Sequence, residues 1–508
     1  MQVLTFLLAW MSRIAISRLF SSSYLGISGL FNDILSVLQL SELGIGTAML
    51  AALYRPAAEK DEDRVQRILN YYRRLYIAVA TLIAIAGLMI MPFLPVLVKG
   101  LDGVGHPYIY YLLFLLDTVL SYFCTWKNSL FYVYQEQYVL SFWNGFFQLA
   151  RYAAQLAILL LTRNFILFVG VQAACAFLPN YVCSKKAERR YPDSVPKDKG
   201  KLPDKKERRS LLSGIGAMSM HKIGGVLVNN TDSLIMSAFL GLSQVGIYSN
   251  YRLVVNTLSG FMRRCTDAFT GGVGNLGATE NGEKVYAVYR EIHFLSVLGY
   301  GYCTSMMVLL FRDYILSGFG SGYLLGNMTV LLIAADFYTK GMRTPVLCFR
   351  DAEGLFRYDR YKPVFEIIIN LVASILLVRR YDIAGIVMGT LISFFSTSFW
   401  IDPLVLMKEG IRKDWKKKYA CYFADYIFDS AVMAGITAFL VWLLSGLPMS
   451  GIKALLIKGM LGTLMYFLIF ILIYLRKPEM KALRRRAQKF WAADKKNRRK
   501  EVGYHPHG

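Results

Sequence analysis

Long apolar stretches separated by short polar connections extend along nearly the whole chain. A membrane-spanning helix needs roughly 20 apolar residues, and about fourteen stretches approach that length. We place spans near 2–20, 30–54, 76–98, 107–126, 138–161, 164–183, 212–239, 245–272, 291–311, 323–345, 361–379, 384–406, 420–444 and 453–475. The pattern predicts an all-α polytopic membrane protein of about fourteen transmembrane helices. The first stretch has no basic region ahead of it, so we predict a retained span and expect a short basic leader before it.

The connections alternate between strongly basic and nearly uncharged. Residues 21–29 carry no charge, whereas the next connection is rich in cations. Those cations are Arg55, Lys60, Arg64, Arg67, Arg73 and Arg74. The connections at 240–244 and 445–451 are again short and poor in charge. Because cytoplasmic loops keep positive charge, the alternation predicts that both termini are cytoplasmic.

The composition agrees with a membrane protein. Of the 508 residues, 55% are hydrophobic, and the mean hydropathy is +0.39. A net charge of +24 would suggest nucleic acid in a soluble protein, but here the excess lies beside span ends, where it orients helices and meets anionic headgroups. We therefore expect membrane lipids, and no nucleic acid, among the partners. The seven cysteines show no paired spacing and are predicted to be free thiols.

A short repeat indicates internal duplication. Residues 24–28 resemble residues 239–243, and we expect both in uncharged turns between an outgoing and a returning helix. The predicted organisation has two six-helix lobes of the same orientation, related by a parallel pseudo-two-fold axis along the membrane normal. The predicted parts are an N-terminal lobe at 1–184, a basic cytoplasmic linker at 185–209, a C-terminal lobe at 210–407, two additional transmembrane helices at 408–475 and a basic cytoplasmic tail at 476–508.

The predicted eighth span carries polar residues along one face. Arg252, Asn256, Ser259, Arg263 and Asp267 follow one another at steps of four, three, four and four, which places them on one side of a helix. A charge at membrane depth costs about 2.5 to 3.5 kcal/mol, so this face is expected to line an aqueous cleft. The alternative for Arg263 is that it snorkels to the interface, which leaves Arg252 as the sharper candidate.

Other charges within the spans are predicted to form structural pairs. Asp117 and Arg151 lie in neighbouring predicted spans and are expected to neutralise each other. Asp336 and Lys340 have the spacing of a same-face helical pair, with Arg343 as a basic flank. The sequence shows neither a catalytic constellation nor a Walker-type glycine loop, so we expect a transporter rather than an enzyme.

Several motifs occur in an order that resembles a known family. They are YLGISGLF at 24–31, SELGIGTA at 41–48, HKIGG at 221–225, GIYSNY at 246–251, DAEGLF at 351–356 and AGIVMGT at 384–390. The chain thereby resembles the bacterial polysaccharide-biosynthesis membrane proteins, which act as lipid-linked oligosaccharide flippases of the cytoplasmic membrane. The resemblance implies the fold of the multidrug/oligosaccharidyl-lipid/polysaccharide exporter superfamily, in which two six-helix lobes surround a cavity that opens alternately to each side.

The same resemblance implies a polyprenyl-diphosphate-linked glycan as the substrate. In related flippases cationic residues of spans one, two and eight bind the diphosphate, and the matching candidates here are Arg13, Arg18 and Arg252. Asn256 and Arg263 join them as candidates because they share the polar face of span eight. Arginine suits this ligand because its planar fork can bind two phosphate oxygens at once.

Some relatives also carry a sodium site, and its matching positions here look like Asp232, Asn370, Ser374 and Thr390. Sodium itself would be held by Asp232, Asn370 and Thr390, since oxygen ligands suit a hard cation. Relatives of that kind have a second acid where Ser374 stands. Proton coupling through Asp232, and a purely structural role for Asp232, therefore both stay open. No other cofactor is expected.

Two other classes of function remain as alternatives. A multidrug or cation antiporter of the same superfamily would prefer an acidic cavity to several arginines. A membrane glycan polymerase or glycosyltransferase would need a long external loop for acid and base chemistry, which the charge pattern does not predict. For the flippase, glycosyltransferases and a glycan polymerase are the expected protein partners.

Overall fold

The computed structural model describes residues 2–42, 44–196, 202–280, 282–355, 358–359, 361–449, 451–482 and 484–485. Within these ranges it does not describe the side chains of 2–3, 40–41, 213–229, 271, 275 and 277–279. The middle of the predicted linker, the predicted tail beyond 485 and the side chains of the HKIGG motif thus lie outside the described residues. All regular structure in these ranges is helical.

In chain order the α-helices are α1 (Gln2–Leu19), α2 (Ser22–Leu38), α3 (Ile45–Ala58), α4 (Glu62–Ile90), α5 (Leu94–Leu97), α6 (Pro107–Ser121), α7 (Thr125–Val133), α8 (Gln137–Thr162), α9 (Phe165–Arg190), α10 (Lys205–Phe239), α11 (Leu242–Thr279), α12 (Gly282–Gly318), α13 (Asn327–Ala352), α14 (Lys362–Ser396), α15 (Ser398–Val405), α16 (Trp415–Ser445) and α17 (Gly451–Tyr474). The prediction of an all-α polytopic membrane protein is confirmed. Its helices form two compact units, the first of Met1–Leu253 with Arg360–Phe394 and the second of Val254–Asp359 with Phe395–Gly508. The division into lobes at 1–184 and 210–407 stays a prediction.

Six helical segments of the described chain are long and apolar enough to cross a membrane by themselves. They are α4 together with its extension to Leu97, α8, α9, α12, α16 and α17. The pair α6 and α7, bent by 40° at a short break, would be a seventh. The remaining predicted spans are broken or carry several charges, so the total of about fourteen stays a prediction.

The predicted span at 30–54 is interrupted. A 3₁₀ turn covers Gln39–Glu42, and Gly44 has a left-handed φ of 94° before α3 begins. Glycine permits this break because it has no Cβ to strain at positive φ. The apolar pattern alone did not indicate the interruption.

The connection expected at 21–29 is mostly helical, since α2 begins at Ser22. Residues 24–28 therefore lie inside a helix, and the prediction that they form a turn is wrong. Residues 239–243 do contain a turn, between α10 and α11. The two pentapeptides occupy different positions relative to their helices. Aligning the two halves of the chain on this match would therefore pair helix with turn.

The helix α14 is a helical hairpin. Asp382 has non-helical dihedral angles (φ 49°, ψ −132°), and the chain reverses there. The two arms pack closely because a Cβ at Gly389 would meet Ser374, and a Cβ at Gly385 would meet the backbone of Leu377. The reversal falls in the connection that the sequence predicts between 379 and 384.

In the second unit, buried charged side chains join α17 and the residues that follow it to α12 and α16. Lys458 of α17 donates a hydrogen bond to Asp313 of α12 at 2.9 Å, with both side chains less than a tenth exposed. Toward the opposite end of α17, Asp429 of α16 accepts from Tyr474 at 2.8 Å and from Lys477 at 3.0 Å. Removal of one partner would leave an uncompensated buried charge, so these pairs hold the three helices together.

The other charge pairs expected from the sequence have mixed outcomes. Lys340 donates to Asp336 at 2.9 Å, as the helical spacing predicts. Asp117, however, accepts from Gln172 at 2.9 Å. Arg151 interacts electrostatically with that carboxylate, as expected. In the described part of the chain no hydrogen bond joins the two side chains, and the Nε of Arg151 is buried without a hydrogen-bond partner.

Candidate binding site in the first unit

The helices α2 and α11 cross closely near their N-terminal ends. The hydroxyl groups of Ser22 and Ser243 share a hydrogen bond of 2.7 Å. A Cβ at Gly26 would meet the backbone oxygen of Leu242, and a Cβ at Gly246 would meet that of Ser22. The two contacts are reciprocal, and only glycine allows backbones to approach so closely. This crossing fixes α11 against α2 just before the arginine of the polar face.

Arg252 of α11 pairs with an acid that the sequence analysis missed. Its Nη1 donates to the Oδ2 of Asp33 in α2 and to the Oγ of Ser233 in α10, both at 2.8 Å. The side chains of Arg252 and Asp33 are only 22% and 13% exposed. Asp232, next to Ser233, also interacts electrostatically with the guanidinium group. An acid within the apolar α2 was the signal that could have identified Asp33.

Arg13 of α1 binds the same segment of α11. Its Nε donates to the Oδ1 of Asn250 at 3.1 Å, and its Nη2 donates to the hydroxyl of Ser249. Both acceptors are neutral groups. Arg18 lies in the last turn of α1, and its side chain is exposed. The structure places Arg13 and Arg252 along one stretch of α11.

We call Arg13 and Arg252, which lie along the same stretch of α11, the arginine cluster. Its two guanidinium groups lie with the carboxylates of Asp33 and Asp232, so two cations face two acids. Guanidinium groups form bidentate, charge-assisted hydrogen bonds with phosphate oxygens. Such a cluster therefore has the chemistry to accept an anionic group.

The four residues of the predicted ion site come together in the first unit. Asn370 donates to the hydroxyl of Thr390 at 2.9 Å, and that hydroxyl lies 3.3 Å from an oxygen of Asp232. Ser374 donates to the carbonyl of Ile386 across the α14 hairpin at 3.3 Å. Asp232 is 9% exposed, and the other three side chains are 4% exposed or less.

One oxygen of this group is unsatisfied. The Oδ1 of Asn370 is buried and has no hydrogen-bond partner among the described residues. A buried acceptor without a donor is costly, and a bound cation would satisfy it. The described residues hold no cluster of three His, Cys, Asp or Glu side chains suited to a metal. Neutral oxygens with a single carboxylate fit a monovalent cation better than a transition metal.

The C-terminal part of the predicted polar face, beyond Leu253, belongs to the second unit. The side chains of Asn256 and Arg263 are exposed there, and the nearest contact between Arg263 and Asp267 is 3.9 Å. At that distance, with Arg263 78% exposed, the pair contributes little to stability. The role of Asn256 and Arg263 in diphosphate binding stays a prediction.

No protein-family model and no curated protein matches the sequence. The structure, however, is similar to solved transporters. A structure of the lipid II flippase MurJ in an inward closed conformation has a TM-score of 0.67 at 10% identity, over 92% of this chain and 97% of that chain. An inward-facing multidrug resistance MATE family transporter of the MOP superfamily has a TM-score of 0.61 at 12% identity, over 86% and 95%. A variant of the Vibrio cholerae MATE transporter VcmN has a TM-score of 0.53 at 14% identity, over 83% and 98%.

At these identities the likeness shows the fold. The protein is a multi-pass helical membrane protein with the fold of these solved transporters, and this agrees with the fold that the sequence resemblance implied. The solved structures include both a lipid flippase and drug transporters, so the fold by itself does not select a substrate.

Proposed function

We propose that the protein is a flippase that moves a polyprenyl-diphosphate-linked oligosaccharide across the bacterial cytoplasmic membrane by alternating access, for cell-surface polysaccharide biosynthesis. The observation that supports this proposal is the arginine cluster of the first unit. Arg13 donates to Asn250 and Ser249, and Arg252 donates to Asp33 and Ser233. Two guanidinium groups on one helical stretch suit the oxygens of a diphosphate, whereas a drug cation would compete with them for Asp33 and Asp232.

In this proposal the diphosphate competes with the internal partners of the arginines. Asp33 offers Arg252 one carboxylate, and a diphosphate offers more oxygen atoms and more negative charge. Arg13 would exchange the neutral acceptors Asn250 and Ser249 for phosphate oxygens, which accept stronger, charge-assisted hydrogen bonds. The Asp33 pair keeps Arg252 oriented while the site is empty of lipid and releases it when lipid binds.

We propose that Asp232 with Asn370 and Thr390 couples this cycle to an ion gradient. The unsatisfied Oδ1 of Asn370 favours sodium, since a proton on Asp232 would not need it. Asp232 also lies within electrostatic reach of Arg252. A cation bound at Asp232 would weaken the electrostatic attraction between Asp232 and Arg252. The guanidinium group of Arg252 would then be more available to a diphosphate.

The test is transport by the purified full-length protein in vesicles. Arg252→Ala should abolish movement of a polyprenyl-diphosphate-linked glycan between leaflets, while Arg189→Ala, an exposed arginine at the end of α9, should transport normally. Normal transport by Arg252→Ala would remove the arginine cluster from the mechanism. Gradient-driven export of a cationic dye, with no movement of the lipid, would favour the multidrug antiporter instead.

A further inference from the structure

A cavity in the first unit shares no lining residue with the arginine cluster. It has a volume of about 480 Å³ and lies between α4, the break that separates α6 from α7, and the end of α9. Arg73 of α4, Lys127 of α7 and Glu188 of α9 contribute its charged lining. We call it the α4–α7 cavity.

The charged lining of the α4–α7 cavity is cationic on balance. Glu188 accepts hydrogen bonds from both Lys127 and Lys185, so its single negative charge is shared between two lysines. No acidic side chain of the described residues lies within salt-bridge distance of Arg73. The Nζ of Lys127 also lies 5.0 Å from the centre of the Trp126 ring. An anion in the cavity would therefore meet Arg73 and Lys127 without a compensating carboxylate at Arg73.

An acid behind the cavity wall, Glu42, is already hydrogen-bonded. Tyr76 and Tyr122 form part of the cavity wall, and their hydroxyl groups donate to the carboxylate of Glu42 at 2.6 Å and 3.0 Å. Glu42 itself does not line the cavity. Because its carboxylate is bonded to the two tyrosines and lies outside the lining, it would repel a bound anion less than an acid in the lining would.

The rest of the lining is apolar and reaches the surface of the unit. Ile77 is 48% exposed and Phe123 is 45% exposed. On a membrane protein such surfaces face hydrocarbon, so an apolar tail could leave the cavity directly into the bilayer. Arg73 also belongs to the basic connection of the sequence pattern, on the side predicted to be cytoplasmic, where anionic lipids concentrate.

We infer that the α4–α7 cavity binds one anionic phospholipid of the surrounding bilayer, with its phosphate at Arg73 and Lys127 and its acyl chains along Ile77 and Phe123. The cavity volume is that of a small-molecule site, so it holds the headgroup and the start of the tails rather than a whole lipid. The inference does not depend on the transported substrate. A polyprenyl diphosphate has the same combination of phosphate and apolar tail, so the experiment includes it as a separate arm.

The first test is lipid binding to the detergent-purified full-length protein by native mass spectrometry. Wild type should retain phosphatidylglycerol in preference to phosphatidylcholine with the same acyl chains. Arg73→Gln should weaken phosphatidylglycerol binding roughly tenfold, because it removes a charge-assisted contact. Arg74→Gln removes the same charge one position along α4, outside the cavity, and should leave binding unchanged. Equal effects of the two substitutions would overturn the proposal.

The second test uses the native thiol of Cys124, which lines the cavity. In vesicles of phosphatidylglycerol its alkylation by a maleimide should be several times slower than in vesicles of phosphatidylcholine, and Arg73→Gln should abolish the difference. The exposed thiol of Cys421 in the same molecule serves as the reference. Equal rates at Cys124 in both vesicles, or protection only when polyprenyl diphosphate is added, would contradict an anionic phospholipid as the occupant. This comparison on wild type holds even if the Arg73 variant fails to fold.

Discussion

The two units use charged residues in different ways. In the second unit, buried cations meet buried carboxylates directly, as in Lys458 with Asp313 and Arg350 with Asp359 at 2.7 Å. In the first unit, Arg13 donates to the neutral Asn250 and Ser249, and Arg252 divides its hydrogen bonds between Asp33 and the neutral Ser233. Paired charges of the first kind stabilise helix packing, whereas cations of the second kind are ready to bind an anion.

The partners of these charged residues distinguish structural charges from functional ones, whereas their positions in the sequence do not. All of these residues interrupt apolar stretches, and insertion into a membrane costs each of them a similar amount. What distinguishes them is the partner. A carboxylate that fully compensates a cation removes it from binding, and a neutral amide or hydroxyl does not. The predictions below test this distinction, beginning with the largest effect.

Breaking a structural pair in the second unit should have the largest effect on stability. Lys458→Met leaves Asp313 buried and unpaired, which should lower the free energy of unfolding by about 3 to 5 kcal/mol. Thermal unfolding in detergent measures this loss. The double variant Lys458→Met with Asp313→Leu should recover most of it, and Lys453→Met, at an exposed lysine of α17, should change little. A stable single variant would show that the pair does not hold α12 to α17.

Crowding the crossing of α2 and α11 should have an intermediate effect. In Gly26→Ala the new methyl group meets the backbone oxygen of Leu242, which should cost about 1 to 3 kcal/mol. Gly260→Ala in α11 meets no atom within 4 Å and should be neutral or slightly stabilising. Unfolding temperatures of the two variants provide the comparison. If both behave alike, the close approach at Gly26 is not required.

Removing a cation of the arginine cluster should affect function more than stability. Arg13→Gln should change the free energy of unfolding by only about 1 kcal/mol, since its hydrogen bonds to Asn250 and Ser249 go to neutral acceptors. Lipid transport in vesicles should nevertheless fall at least roughly tenfold, as expected for a lost charge-assisted contact. The reverse result, a large loss of stability with normal transport, would place Arg13 among the structural charges.

Changing the oxygen site should have the smallest effect, confined to coupling. Transport is measured under separate sodium and proton gradients in wild type, Asn370→Ala and Asp232→Asn. Asn370→Ala should reduce the response to sodium several-fold, because it removes a cation ligand, and Asp232→Asn should remove the response to either ion. If both variants respond as wild type does, this group of residues has no part in coupling.

The sequence predicted the helical class and the α14 reversal, and it singled out Arg13, Arg252 and Asp232 as candidates because charges in apolar stretches are rare enough to notice. It did not predict the break at Gly44, since a single glycine in an apolar run is compatible with an unbroken helix. It missed Asp33 and the hydrogen bond from Gln172 to Asp117, because the partner of a charge depends on packing between helices distant in sequence. The sequence did not predict the close packing of Gly26 against α11 for the same reason.

The central claim is that a diphosphate and Asp33 compete for Arg252. Binding of a polyprenyl diphosphate to the purified protein can be measured in wild type, Asp33→Asn, Arg252→Ala and the double variant. The account predicts that Asp33→Asn binds the lipid several times more tightly than wild type, and that this gain disappears when Arg252 is also replaced. An unchanged or weaker affinity in Asp33→Asn, or a gain that persists without Arg252, would contradict it.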